Sequence, residues 1–169
     1  MVFGRKSSGP QVTAYVDALH LLGRRELSER QLRERLRDRE HADADIDRAI
    51  ELLIENRALD DRRVAAAYVR TALKVKGRGR LRIQRELQVM GIEKEVAAEA
   101  LAEAFGDIDE RALIAQALKK KLRGKSTIAS PAEYARLYQF LMRQGFSPSG
   151  VTAALRRYRR GGGADDDVQ

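Results

Sequence analysis

The sequence predicts an all-α protein: three tandem three-helix repeat units, about nine helices, in an elongated, curved arrangement. Three observations predict it. The chain of 169 residues carries only 13 glycines and 3 prolines, with 43% hydrophobic and 34% charged residues. Helix breakers are too scarce for a β-rich or low-complexity chain, and the charge suits thin helical units with much surface. Three segments align with each other at offsets of 51 and 54 residues. Helix start and stop signals fall where that alignment requires them.

The aligned segments are Leu32, Leu36, Ile46, Ala49, Ile50; then Ile83, Leu87, Val96, Ala100, Leu101; then Leu137, Leu141, Val151, Ala154, Leu155. In each, an apolar residue is followed at +4 by Leu, at +17 by Ala and at +18 by Ile or Leu. Residues four apart share a helix face, so each segment reads as helix, turn, helix with one buried stripe. Gly91 and Gly145 suit the position just after a helix, where a left-handed backbone ends it. Ile92 and Phe146 follow them and can pack back on the preceding turn. Glu40 stands at the equivalent place in the first copy, so that turn is expected to be looser.

A further helix precedes each pair. Ala14, Tyr15, Ala18, Leu19, Leu21 and Leu22 form the first stripe, Ala65–Leu73 the second, and Leu113, Ile114, Ala117, Leu118 and Leu122 the third. Ser28 with Gln31 reads as a capping box. Asp43 or Asp45 is expected to cap the third helix, Asp60 or Asp61 the fourth, and Asp107 or Asp109 the seventh. Ser130-Pro131 and Ser147-Pro148 open the eighth and ninth. The expected layout is a disordered segment at 1–12, repeats at 13–59, 60–106 and 107–160, and a disordered acidic tail at 161–169.

Cysteine is absent and the two histidines, His20 and His41, lie far apart. Disulfides, thiol catalysis and a cysteine-based zinc site are thereby excluded, and no metal or cofactor motif stands out. No phosphate loop and no Ser–His–Asp order is present, so no catalytic residue is expected. There is no apolar run of membrane-spanning length, and Arg5 and Lys6 have no apolar segment behind them. A cytoplasmic location is the expectation.

The net charge of +8 is unevenly placed. Residues 1–69 hold 13 bases and 13 acids; residues 70–169 hold 20 bases and 12 acids. Arg70, Lys74, Lys76, Arg78, Arg80, Arg82 and Arg85 follow one another with no acid between them. Lys119, Lys120, Lys121, Arg123 and Lys125 form a second cluster, and Arg156, Arg157, Arg159 and Arg160 a third. Acid-free clusters of this kind attract polyanions or acidic protein surfaces.

The central stretch also carries a resemblance. Leu59-Asp60-Asp61, then Ala67-Tyr68-Val69-Arg70, then Lys76-Gly77-Arg78-Gly79, Arg82-Ile83 and Glu86-Leu87 resemble, in order, the pattern of the RecX family, regulators of the bacterial RecA recombinase. Leu22–Ser28 and Gly145-Phe146-Ser147 add to it, so the resemblance runs from about Ala14 to Leu155. Val64 stands where the family usually has Phe, and Arg80 where Pro is common.

The resemblance implies a non-enzymatic regulator without cofactor. Such a protein binds the groove of the RecA–single-stranded DNA filament. It mainly inhibits ATP hydrolysis, strand exchange and the coprotease activity towards the LexA repressor. A monomer is expected. The partner-binding candidates are Arg70, Lys74, Lys76, Arg78, Arg80, Arg82 and Arg85, with Lys119, Lys120, Lys121 and Arg123 in second rank. Near Arg80 the start of a helix presents free N–H groups, where an acidic side chain or a DNA phosphate would suit. Within that set, Arg82 and Glu86 are spaced for an intrahelical pair. Tyr68 is expected to pack in the core with its hydroxyl at the rim. The alternative is a basic helical module that binds nucleic acid directly. Few aromatics (5%) are available for stacking on bases, so its grip would rest on phosphates.

Overall fold

Apolar stripes at helical spacing become nine α-helices, with no strand among the described residues of the computed structural model. These are 10–123, 125 and 127–159, with backbone alone for 10–12 and 159. The helices are α1 (Pro10–Leu22), α2 (Glu29–Arg37), α3 (Asp43–Glu55), α4 (Asp61–Lys74), α5 (Arg80–Val89), α6 (Lys94–Phe105), α7 (Glu110–Leu122), α8 (Pro131–Gln144) and α9 (Pro148–Arg159). Helix α1 starts at Pro10 rather than at 13. The rest of the N-terminal segment and the acidic tail lie outside the described residues.

The repeat is visible at hydrogen-bond level. Where the second helix of each unit turns into the third, one bond closes the turn in the same way. His41 N–H donates to Leu36 O at 3.3 Å, Ile92 N–H to Leu87 O at 3.1 Å and Phe146 N–H to Leu141 O at 3.4 Å. Each spans five residues across a left-handed residue, as in the Schellman closure of a helix. Gly91 and Gly145 occupy that position with φ +79° and +89°, and Glu40 adopts φ +63°. The expectation of a looser first turn is therefore corrected. The backbone geometry is kept, and Glu40 bears the cost of a Cβ in the left-handed region. Glu40→Gly is accordingly expected to raise unfolding free energy by about 0.5 kcal/mol, visible as a rise in melting temperature.

The chain divides into two compact units. One takes the described residues up to Ala67 together with Leu87–Ala97; the other takes Tyr68–Glu86 and the described residues from Ala98 onward. Helices α4, α5 and α6 each contribute residues to both. In the first unit α1, α2 and α3 pack on one another. Ala18, Leu21, Leu27, Leu32, Leu36, Ile46, Ile50, Leu53 and Leu59 form its core. In the second, α7, α8 and α9 do the same, around Ile114, Leu118, Leu122, Leu137, Leu141, Phe146, Val151 and Leu155. Most stripe positions read from the sequence lose their water, the main driving term for such small units, but Leu19 of the first stripe is corrected: it stays 39% exposed on α1.

Most caps follow the sequence. Ser28 forms the full capping box with Gln31. It is wholly buried, and its Oγ also donates to Met90 O at 2.5 Å. Asp60 Oδ1 accepts the N–H groups of Arg62 and Arg63 at 2.9 and 3.2 Å, capping α4. Asp61 does different work: its Oδ1 accepts the Glu29 N–H at 2.8 Å, meeting a second free donor of α2. Burial, and then the carboxylates of Glu29, Asp60 and Glu93, push the Asp61 carboxyl above its ordinary value, against the pull of that N–H. Asp109, Ser130 and Ser147 cap α7, α8 and α9 through Arg111, Glu133 and Gly150 N–H. The third helix is the exception. Its cap is Ala42, with no side-chain bond, and Asp43 and Asp45 lie inside the first turn. There they face the positive end of the helix dipole, and Asp43 pairs with Arg37 Nε at 2.9 Å.

Candidate partner-binding surface

All the predicted contact residues from Arg70 to Arg85 belong to the second unit, as do α7, α8 and α9. Their placement starts with the end of α4. Gly77 N–H donates to Leu73 O at 3.2 Å and Arg78 N–H to Ala72 O at 3.0 Å, folding Val75–Arg78 back over the helix end. Two donors further on bond to the end of α8 instead. Gly79 N–H reaches Gln144 O at 2.8 Å and Leu81 N–H reaches Gly145 O at 3.1 Å. The first turn of α5 thus abuts the last carbonyls of α8. Positive and negative helix ends meet there, and donors and acceptors that neither helix can satisfy satisfy each other.

This approach depends on two glycines. A Cβ on Gly79 would strike the carbonyl of Gly145 and the Phe146 nitrogen, and a Cβ on Gly145 would strike the backbone of Arg82. The sequence motif suggested glycines as helix stops. Their tertiary role, Gly79 making room for the Gly145 backbone and Gly145 for that of Arg82, is not written in local spacing. The expectation of a free anion cradle at the start of α5 is corrected at Leu81, whose N–H is occupied by Gly145.

Beside the turn lies a knot of charged and polar groups. Arg78 Nη1 donates to Glu86 Oε2 at 2.6 Å and to Tyr68 Oη at 3.0 Å. Tyr68 Oη donates to Glu86 Oε2 at 2.9 Å. Arg82 Nε donates to Glu86 Oε1 at 3.0 Å, and its Nη1 reaches Arg143 O at 3.1 Å. The side chains of Arg78 and Glu86 are only 17% and 24% exposed. Burial alone would raise the Glu86 carboxyl, but hydrogen bonds from Arg82 and Tyr68 and the charges of both arginines outweigh it and hold it below its ordinary value. Burial, then the bond to Glu86, pushes the Tyr68 phenol up. Lys76 Nζ sits 5.9 Å from the Tyr68 ring centre, a cation–π contact. Tyr68 is half-buried, with its hydroxyl engaged rather than wet.

Lys76, exposed but set over the Tyr68 ring, stands apart, and the other six central cations sort into two groups. Arg78 and Arg82 are committed to Glu86 and hold the turn on α5. Arg70, Lys74, Arg80 and Arg85 are exposed, with no ion pair to a described residue. On α7, Lys119 and Lys120 are exposed in the last turn, where cations suit the dipole. Lys121 Nζ lies 5.1 Å from the Phe140 ring centre, and Arg123 ends the helix with φ +49°. Arg156 and Arg157 are exposed on α9, while the Arg159 side chain and Arg160 lie outside the described residues. Among the described residues no group of His, Asp and Glu could hold a metal ion, and no helix is long and apolar enough to cross a membrane.

Glu110, which sequence reasoning missed, ties two helices of the second unit through the Ser147 cap. Glu110 Oε1 accepts the Ser147 N–H at 2.9 Å and its Oε2 accepts the Ser147 hydroxyl at 2.5 Å. This ties the start of α7 to the start of α9. Only the Asp109 cap was legible there, because Glu110 acts across the tertiary structure.

Three family models match the chain: RecX, first three-helix domain, at residues 14–53; RecX, second three-helix domain, at 60–101; and RecX, third three-helix domain, at 109–155. Among curated relatives, the Regulatory protein RecX of Geobacillus kaustophilus is 34% identical over 84% of this chain and 52% of its own length. The chain thus spans about half the length of that relative. The Regulatory protein RecX of Vibrio parahaemolyticus is 32% identical over 89% of this chain and 95% of its own. The crystal structure of RecX from Lactobacillus salivarius shares the fold, with a TM-score of 0.70 and 19% identity over 88% of this chain and 96% of that one. With its three helical units each matched in order, the chain belongs to the RecX family.

Proposed function

We propose that the chain docks in the groove of the RecA–single-stranded DNA filament and restrains it. On this reading it slows ATP hydrolysis, strand exchange and LexA cleavage by occupying protomers, with no chemistry of its own. It acts as a cytoplasmic monomer. The observation that carries the reading is the exposed quartet Arg70, Lys74, Arg80 and Arg85, set around a turn that Glu86 and the two glycines hold in place. A pre-ordered cationic surface loses little entropy on docking and steers towards a negatively charged assembly.

The test is ATP hydrolysis by the cognate RecA on single-stranded DNA, with this protein added well below one copy per protomer. A fall in rate at that ratio is expected. The charge-reversed variant Arg70→Glu/Lys74→Glu/Arg80→Glu/Arg85→Glu is expected to need at least about tenfold more protein for the same inhibition. Unchanged inhibition by that variant would remove this surface from the role.

Direct binding of nucleic acid is a second reading, favoured by Lys119, Lys120 and Arg123, which are exposed without an acidic partner among the described residues. It predicts affinity for bare single-stranded DNA that falls steeply with salt, with a logarithmic slope of about −0.7 for each phosphate neutralised.

A further inference from the structure

Between Arg111 and Ala164 the chain holds twelve bases and one acid, Glu133. Three consecutive acids then follow, Asp165–Asp167, set off by Gly161-Gly162-Gly163. The single acid is already engaged. Glu133 Oε2 accepts the Ala129 N–H at 2.9 Å, and its Oε1 lies 3.9 Å from Lys125 Nζ.

The fold gathers the bases at one end of the α7–α9 bundle. Helices α7 and α9 pack on each other, and the Glu110–Ser147 bonds join their starts. Their far ends are joined as well: Ile128, on the loop that follows α7, donates its N–H to Tyr158 O at 3.5 Å in the last turn of α9. The helices have 13 and 12 residues, so each is about 18–20 Å long. They therefore run in the same sense and finish at the same end of the bundle. Lys119 and Lys120 lie in the last turn of α7, Arg156 and Arg157 in that of α9. All four are exposed, with no ion pair to a described residue. The two helix dipoles bring only about half a negative charge each to this end, against four cations. The described chain also stops here, at Arg159. Asp165 comes six residues later, a reach of up to about 20 Å. Packed helix axes lie only about 8–10 Å apart, so that reach takes in the cations of both helices. A segment tethered this closely has an effective concentration of about millimolar.

We propose that Asp165–Asp167 docks on this basic end, pairing with Lys119, Lys120, Arg156 and Arg157, and that a polyanion from outside must displace it. The contact lies within the chain and does not depend on the filament being the partner. It is electrostatic and open to water, so it is weak, reversible and screened by salt.

The first test treats the full chain alone, at low ionic strength, with a carbodiimide that links a carboxylate to an amine only where the two pair. Amide links from Asp165–Asp167 to Lys119 or Lys120 are expected. Their yield should be independent of protein concentration and fall at least about fivefold at 1 M salt, where the screening length is about 3 Å. No such link, links to other lysines only, or a yield that drops on dilution would overturn the proposal; the last result would place the segment on a second copy of the chain. The second test measures affinity for an oligodeoxythymidylate at low salt. Asp165→Asn/Asp166→Asn/Asp167→Asn is expected to raise it at least about fivefold. Asp38→Asn/Glu51→Gln/Glu55→Gln removes as much negative charge from exposed sites in the first unit and should raise it less than about twofold. Equal gains, or none from the aspartate variant, would overturn displacement.

Discussion

Gly79→Ala is expected to destabilise the second unit by about 3 kcal/mol, the range reserved for substitutions with a specific steric cause. The added methyl would land on the carbonyl of Gly145 and on the Phe146 nitrogen, both backbone atoms with no rotamer to yield. To admit it, the turn must lift from α8. That breaks the Gly79–Gln144 and Leu81–Gly145 hydrogen bonds and strands their donors and acceptors. Gly77 is the internal control. Nothing lies within 4 Å of a Cβ there, and its φ of +60° alone sets the cost, so Gly77→Ala should lose only about 1 kcal/mol. Gly145→Ala should resemble Gly79→Ala, because its methyl would meet the Arg82 backbone across the same interface. The double variant should cost clearly less than the sum, since either methyl alone already separates the two segments. Urea unfolding of the four proteins measures all of this. Equal losses at Gly77 and Gly79 would contradict the close approach.

These glycines mark the boundary between what the sequence discloses and what it withholds. Helix stops, capping serines and the Leu32, Ile83 and Leu137 stripes are legible because helical periodicity and capping are relations between residues a few positions apart. The closure bonds at His41, Ile92 and Phe146 are local too, yet Glu40 was misjudged. The residue type suggested a looser turn, while the surrounding helices fixed the backbone and left Glu40 to accept the strain. Asp43 and Asp45 were misplaced for a related reason: a carboxylate near a helix start can cap it or simply lie in its first turn, and the sequence offers both. The Gly79–Gly145 approach and the tie from Glu110 to Ser147 join segments from different repeats or opposite ends of one. No periodicity encodes them. The same limit applied to the arginines. A run of bases without acids reads as one uniform surface. The Arg82–Glu86 pair is legible from its four-residue spacing, but that Glu86 also takes Arg78 out of the run, leaving Arg70, Lys74, Arg80 and Arg85 exposed, is not.

Glu86→Gln tests that division. One carboxylate holds two arginines and a phenol through both its oxygens; an amide keeps one acceptor oxygen, sets an NH2 donor in place of the other and carries no charge. The Arg78 side chain is 17% exposed, so it would stay largely desolvated with its counter-charge gone. Removing one partner of a buried pair costs about 3–5 kcal/mol; here the knot is partly open to water and the amide keeps some bonds, so about 2 kcal/mol is expected at neutral pH. The loss should depend on pH in a set direction. The Glu86 carboxyl is held below its ordinary value of 4.5 in the folded state. Its contribution is therefore fully present above that value and disappears as pH falls through the lower folded value. Wild type and Glu86→Gln should differ most near neutrality and converge in acid. The functional readout separates this from the docking surface. Glu86→Gln should loosen the turn and weaken filament inhibition in step with its loss of stability, whereas Arg80→Glu should weaken inhibition with stability unchanged. If Arg80→Glu and Glu86→Gln shift the melting temperature equally, the distinction between scaffold and surface is wrong. A Glu86→Gln protein whose stability tracks wild type from neutrality down to acid would show that the knot carries no net energy, and that the glycine contact alone holds the turn.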